Sequence, residues 1–268
     1  MKILVIGDAM QDAYWQGTVS RISPVAPVPV VSVQGTETRA GAAANVANNI
    51  EAMGVPVERI FGGGKRILKI TVLSERQHMA RIDFDYPQEP IEPDAAFLDA
   101  VERCSMVVAM DYGKGSLTNI AALIAASGKP FLIDPKGHDY ARYRGAALLK
   151  PNREEMRELV GGWSTRDELD FKARQFLLAS GIESILLTQA ADGMTLYTRT
   201  ETLHQEATAG VPVDVSSAGE AALSAYAVAL AKAMPPADRL RYAAKASGIA
   251  ISRPGTVVCT KEEVFGSG

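Results

Sequence analysis

Apolar and polar positions divide the chain into strand and helix candidates. Lys2 to Gly7 is a continuous apolar run closed by Gly7-Asp8, the mark of a buried parallel strand ending at the carboxyl edge of an α/β sheet. From Tyr14 to Val33 the apolar residues Ile22, Val25, Val28, Val30, Val31 and Val33 are interleaved with Pro24, Pro27 and Pro29, which suits edge strands or an excursion from the sheet. Thr38 to Met53 carries Val46, Ile50 and Met53 at helical spacing, behind the small residues Gly41 to Ala44 that invite close approach by a ligand. Phe61-Gly62-Gly63-Gly64-Lys65 reads as a plain turn, without the spacing of a Walker phosphate loop. Leu68 to Leu73 and Met79 to Phe84 flank the polar tip Ser74-Glu75-Arg76-Gln77-His78 and predict a hairpin or paired edge strands.

After Pro93 a βα alternation resumes. Strands are predicted at Met106 to Met110, Phe131 to Ile133, Ala147 to Leu149 and Ser184 to Leu187, with helices at Thr118 to Ala126, Arg153 to Val160 and Arg166 to Ala179. Two short strands follow around Met194 to Tyr197 and Thr202 to Glu206, and a helix from Asp238 to Ile251 closes the domain. Parallel topology with right-handed crossovers is the expectation. No internal repeat or low-complexity linker interrupts the pattern.

The rest is organised around Val213 to Leu230, which reads as a short strand, a tight turn of small residues and an Ala-rich helix. A helix whose first turn carries only Ser, Ala and Gly leaves its N–H groups open to an anion, and the helix dipole adds positive character there. Asp214 and Glu220 flank that turn, so a general base could stand beside an anion hole. The plainer alternative is that Ser216 is an ordinary N-cap, Glu220 a first-turn carboxylate and the alanines a packed face. Asp8 and Asp12, just beyond the first strand, face the same kind of cleft.

Composition narrows the classes. The 268 residues, 47% hydrophobic and 22% charged, suffice for one large core, and a net charge of -3 leaves no basic excess for nucleic acid or a membrane surface. Cys104 and Cys259 lie far apart and outside any metal or redox motif, which fits core thiols in a reducing, cytoplasmic setting. The opening apolar run is too short for a signal segment, and no membrane span is expected. A dinucleotide-dependent oxidoreductase is disfavoured because no Gly-x-Gly-x-x-Gly follows the first strand.

Several blocks together resemble the ribokinase-like carbohydrate kinases of the phosphofructokinase B type, and within them the bacterial heptose 7-phosphate kinase domain. They are Gly-Asp-Ala-Met-Gln-Asp-Ala-Tyr-Trp at 7–15, Arg-Ile-Ser-Pro-Val-Ala-Pro-Val-Pro-Val-Val at 21–31, Gly-Ala-Ala-Ala-Asn-Val-Ala at 41–47, Asp-Tyr-Gly-Lys-Gly at 111–115, Asp-Pro-Lys-Gly at 134–137 and Pro-Asn-Arg-Glu-Glu at 151–155. The resemblance implies a single ribokinase-like domain over 1–268, a three-layer α/β/α unit with a mostly parallel sheet. A small β lid would be formed by 14–34 and 67–85, a surface often used for homodimer pairing. It also implies phosphoryl transfer from ATP, with Mg²⁺, to a hydroxyl of a sugar or sugar phosphate. On that basis Asp8, Asp12, Gly41 and Asn45 would surround the sugar, while Lys114 and Lys136 would reach phosphate. Asn152 and Glu155 would form the Asn-x-x-Glu that organises Mg²⁺, Glu155 as the metal residue. Thr188, Gly193 and Asp214 would frame the nucleotide, and Ser217, Ala218, Gly219 and Glu220 would form the catalytic turn.

The same blocks also depart from the family pattern. Where the family has Gly-Ala-Gly-Asp this chain has Ser217-Ala218-Gly219-Glu220, which displaces the carboxylate by about one methylene. If position 217 needs a positive φ, Ser217 would carry strain of roughly 1–2 kcal/mol. Ala42 and Ala190 stand where glycines are usual, and the connection from Phe61 to Lys69 is much shorter than in relatives. Two readings follow: a kinase with Glu220 as the base, or a catalytically impaired relative that binds sugar phosphate or nucleotide, or pairs through its lid. On the first, Glu220→Asp with Ser217→Gly is expected to raise turnover roughly 10–100-fold.

Overall fold

In the computed structural model, which describes residues 1–75, 77–137, 139–208 and 212–266, the strands separate into two sheets. The strands are β1 (Ile3–Gly7), β2 (Ala9–Ile22), β3 (Pro29–Ala42), β4 (Val57–Phe61), β5 (Ile67–Ser74), β6 (Gln77–Phe84), β7 (Met106–Met110), β8 (Phe131–Asp134), β9 (Leu148–Leu149), β10 (Ser184–Thr188), β11 (Met194–Thr198) and β12 (Thr202–Gln205). The helices are α1 (Ala43–Ala52), α2 (Ala95–Glu102), α3 (Ile120–Ser127), α4 (Arg153–Val160), α5 (Arg166–Ser180), α6 (Ala218–Ala231), α7 (Pro236–Ile251) and α8 (Lys261–Phe265).

The larger sheet runs β12-β11-β10-β9-β8-β7-β1-β4, parallel from β4 to β10 and antiparallel at β11 and β12. Alternation along β1 explains its layers. Ile3 and Val5 join a core that includes residues of α1, α6, α7 and α8, while Leu4 and Ile6 join one that includes residues of α2, α3, α4 and α5. Both faces are therefore covered, as parallel sheets require. In α6 every residue from Glu220 to Ala229 is buried, which is why its sequence is apolar all round rather than striped.

The smaller sheet runs β3-β2-β5-β6, with β2 and β5 parallel and the outer pairs antiparallel. Pro24 and Pro27 fall in the turn between β2 and β3, and Pro29 opens β3, so these three residues cost the interior of the ladder no donor. Arg76, in the tip between β5 and β6, lies outside the described residues.

Several elements differ from expectation. Residues 38–42 are the end of β3 rather than the start of a helix, and the chain turns into α1 at Ala42, whose φ is 52°. The small sheet accordingly reaches its root at Ala9 and Ala42, beyond 14–34. The stretch before α6 is a loop, with the N–H groups of Val213 and Asp214 donating to the Ile251 carbonyl. Strand β4 escaped the pattern because Glu58 and Arg59 break its apolar run, as befits an edge. Helices α2 and α8 are short, and their caps, Asp94 and Thr260, are their clearest sequence signals. From β4 the chain passes through Gly62–Arg66 directly into β5. No helix among the described residues is long and apolar enough to cross a membrane.

Candidate active site

A cleft of about 740 Å³ opens at the carboxyl ends of β8, β9 and β10, against the first turn of α6. Asp134, Lys136, Lys150, Asn152, Glu155 and Glu220 line its polar end, and Ala190, Ala207, Val215, Ala244, Gly248 and Ile251 line an apolar slot beyond. Ligands of open α/β sheets bind at this edge.

Glu220 is the most constrained group there. It is buried, and its Oε1 accepts from the Tyr112 hydroxyl at 2.7 Å and the Ala42 N–H at 3.1 Å, while Oε2 accepts from the Asn45 amide at 2.5 Å. Burial pushes its pKa up to about 7; the Asn45 and Tyr112 hydrogen bonds oppose the rise, and the charges of Asp12 and Asp134 add to it. A carboxylate offers about four acceptor sites, and three are taken, so one on Oε2 is left for a substrate hydroxyl. Burial and the neighbouring carboxylates keep the Tyr112 phenol protonated well beyond its ordinary range, so it stays a donor.

Two residues expected to surround the sugar are engaged elsewhere. Asp8 is fully buried, and its carboxylate accepts the backbone N–H groups of Tyr112, Lys114 and Ser116 at 2.9–3.2 Å. It shapes the 112–116 turn, with three of its acceptor sites spent on backbone N–H groups. Asn45 is also buried, its amide donating to Glu220 and its carbonyl accepting from Asn49, so it orients the carboxylate rather than standing open to a ligand. Asp12 accepts from the Thr256 hydroxyl at 2.7 Å, and a methyl on Gly41 would lie 2.4 Å from Asp12 Oδ2, so Gly41 makes room for that side chain. Lys114 is ion-paired to Asp85 at the end of β6, 2.8 Å away. Asp12, Gly41, Asn45 and Lys114 thus stand at the root of the small sheet, outside the cleft lining, and Glu220 with Tyr112 joins the two regions.

Among the residues expected to frame the nucleotide, Asn152 caps α4 through its side-chain oxygen, and Glu155 returns a hydrogen bond to the Asn152 N–H. The other Glu155 oxygen meets Lys136 Nζ at 3.2 Å. Thr188 is bridged to Asn152, and a methyl on Gly193 would strike the Gln205 carbonyl at 2.1 Å, so the hairpin that carries Gly193 closes only around a glycine. Asp214 receives the N–H groups of Ser216 and Gly255. Burial disfavours its charge, but these bonds outweigh that and hold its pKa below the usual range.

Ser217, not Ser216, is the N-cap of α6. Its φ of −107° removes the strain considered for that position, and its hydroxyl accepts from the Val257 N–H. Ala218 and Gly219 form the first turn of α6 beside Glu220. Ala42 and Ala190 retain positive φ, 52° and 53°, so the backbone has kept a conformation natural to glycine at both positions. Among the described residues no group of three or more His, Cys, Asp or Glu side chains is arranged to hold a metal. Asp134 and Glu155 on the cleft wall suit Mg²⁺ arriving with nucleotide phosphates, since Mg²⁺ takes one or two carboxylates plus phosphate oxygens.

Tyr112, Asp134, Lys150 and Thr256 were not singled out by sequence reasoning. Tyr112 and Asp134 lie inside recognised blocks, and their place beside already noted residues was the available signal. Lys150, between a strand and Pro151, carries none.

The pattern of the pfkB family carbohydrate kinases matches residues 91–263. The D-beta-D-heptose 7-phosphate kinase of Bordetella bronchiseptica is 41% identical, over 99% of this chain and 95% of its own length. That alignment covers 298 positions, 30 more than the 268 residues of this chain, so at least that many fall opposite gaps here. The bifunctional protein HldE of Methylococcus capsulatus is 36% identical over 98% of the chain, which spans 63% of that protein. The structure of Arabidopsis thaliana ribokinase complexed with ribose and ATP superposes with a TM-score of 0.77 at 18% identity, covering 98% of this chain and 97% of the other; it supports the ribokinase-like fold. With the family pattern covering more than half of the residues and a relative aligned nearly end to end, the chain belongs to the pfkB carbohydrate kinases.

Proposed function

We propose that the protein transfers the γ-phosphoryl group of ATP to a hydroxyl of a sugar phosphate, with a heptose 7-phosphate as the preferred acceptor. The observation that carries this reading is Glu220: a buried carboxylate at the first turn of α6, with a pKa of about 7 and one free acceptor site. The substrate class is supported by the name and 41% identity of the Bordetella relative. Glu220 takes the acceptor proton as the hydroxyl oxygen bonds to phosphorus, and the bond from phosphorus to the ADP oxygen breaks. Tyr112, Asn45 and the Ala42 N–H hold the carboxylate in place, and the apolar slot accommodates the base of the nucleotide. Bound Mg²⁺ supplies charge neutralisation of the nucleotide phosphates, with Asp134 and Glu155 as the residues that would hold it.

The small sheet acts as a lid in this reading and pairs with its counterpart in a homodimer. Exposed Ile22, Val25, Val28, Val33, Ile82 and Phe84 on its strands and connecting turn favour this, since exposed apolar sheet surface calls for cover. The ATP requirement and two buried free thiols fit a cytoplasmic setting.

Steady-state transfer assays with Mg·ATP and a panel of heptose, hexose and pentose phosphates test the proposal. The highest kcat/KM is expected with a heptose 7-phosphate; no transfer to any acceptor would refute it.

A further inference from the structure

The Asp12 carboxylate stands beside the seat of the base. It packs against Gly41, and the next residue, Ala42, gives its N–H to Glu220. Lys69, the register partner of Asp12 on β5, lies over the Tyr112 ring, whose hydroxyl also bonds Glu220. Arg39, the register partner on β3, is spent on Glu37 and on the carbonyls of Pro254 and Thr256. Asp12 itself is half-buried, and among the described residues it receives one hydrogen bond, from Thr256 Oγ1 to its Oδ2 at 2.7 Å. Of about four acceptor sites on the carboxylate, the rest stay open.

The direction of these bonds follows from chemistry. A carboxylate only accepts, so the one proton of the Thr256 hydroxyl goes to Asp12, and Tyr14, 3.1 Å away, donates to Thr256. Burial raises the pKa of the Tyr14 phenol and keeps it a donor. As a latch between the small sheet and the 254–256 loop, the Thr256 hydroxyl is superfluous. Arg39 grips the Pro254 and Thr256 carbonyls at 2.7 and 3.1 Å, and the Tyr14 oxygen accepts the Thr256 N–H at 3.0 Å, contacts that any side chain at 256 would keep. Thr256 is 8% exposed, so a valine of the same shape would fill the place without desolvating a hydroxyl. What valine cannot do is fix the rotation of a carboxylate.

Resting on the kinase reading above, we propose that Thr256 is a positioning residue: by holding Oδ2 it turns the Asp12 carboxylate so that its open acceptor sites take one hydroxyl of the sugar phosphate while another meets Glu220. Thr256 acts on acceptor binding through Asp12 and has no contact with the phosphoryl group.

The test compares Thr256→Val with Thr256→Ser in steady-state assays with Mg·ATP and a heptose 7-phosphate. Thr256→Val should raise the sugar phosphate KM about tenfold, with kcat and the ATP KM changing less than about threefold. Thr256→Ser keeps the hydroxyl and should stay within about threefold of the natural KM. A loss confined to kcat, or a serine variant no better than the valine one, would overturn the role. Calorimetric affinity for the heptose 7-phosphate closes a double-mutant cycle: on an Asp12→Ala background Thr256→Val should add no further loss, and full additivity would show that Thr256 does not act through Asp12. If Thr256→Val does not fold, Thr256→Ala is read against Thr256→Ser by the same criteria. A natural protein that phosphorylates no sugar phosphate, yet loses affinity for one on Thr256→Val, would sink the kinase reading and keep the positioning role. A natural protein that binds no sugar phosphate overturns both.

Discussion

The Glu220 carboxylate reaches across from α6 to the Asn45 amide on α1, with Oε2 and Nδ2 2.5 Å apart. That contact is reinforced by the Ala42 N–H and the Tyr112 hydroxyl. The carboxylate is seated on three donors, and an aspartate on the same turn, about one methylene shorter, is expected to lose them.

This reverses the expectation that Glu220→Asp improves the enzyme. Shortening the side chain should break three hydrogen bonds and lower kcat by roughly 10–100-fold, and Ser217→Gly should add nothing, since Ser217 is unstrained. Glu220→Gln should remove activity by at least ~10²-fold while leaving the fold intact. Steady-state rates of the three variants check this; a faster Glu220→Asp would contradict the seating argument.

The pKa of Glu220 sets a pH dependence. Activity requires the carboxylate ionised, so kcat should rise with pH through about 7 and then level off. Tyr112→Phe deletes a hydrogen bond that holds the pKa down, so its limb should move to higher pH with a lower plateau. Stability runs the other way. A carboxyl whose folded pKa exceeds its ordinary 4.5 binds its proton more tightly when folded, so stability falls as pH rises from about 4.5 to about 7, by on the order of 3 kcal/mol from this group. In Glu220→Gln that part of the slope should vanish in denaturant titrations across the same window.

Asp8 is predicted to be structural. Asp8→Ala leaves three backbone N–H groups of the 112–116 turn without their acceptor, and a loss of about 3 kcal/mol or more is expected, read as a lowered denaturant midpoint. A variant of natural stability but lost sugar binding would restore Asp8 to the substrate site.

Ala190 is exposed at φ 53°, where relief of left-handed strain (~1–2 kcal/mol) outweighs the added unfolded-state freedom of glycine (~0.4–1 kcal/mol). Ala190→Gly should therefore raise the melting temperature by about 2 °C, without a cavity to offset the gain.

On the lid, Ile82→Glu with Phe84→Glu places charge on the two exposed large apolar positions of β6. Light scattering should report a dimer for the natural chain and a monomer for this variant; a natural chain that is monomeric at micromolar concentration would refute lid pairing.

Local pattern alone carried a large part of this protein. The two-sided apolar run of β1, the helical spacing of α4, α5 and α7, and the proline-rich excursion that became β2 and β3 were legible because each repeats a period imposed by backbone geometry. The small-residue start of α6 was legible too, with one carboxylate in its first turn. What the pattern could not convey is where long side chains end. Whether Asp8 faces a ligand or three backbone N–H groups, whether Asn45 is open or spent on Glu220, and whether Lys150 is a surface lysine or a buried cation against Gly219 depend on partners from 69 to 175 residues away in the chain, or at a neighbouring strand end. Even the expected sign of the Glu220→Asp effect turned on this. One methylene looks like misplacement along the chain, and becomes reach once the fold sets α1 and Tyr112 at its end.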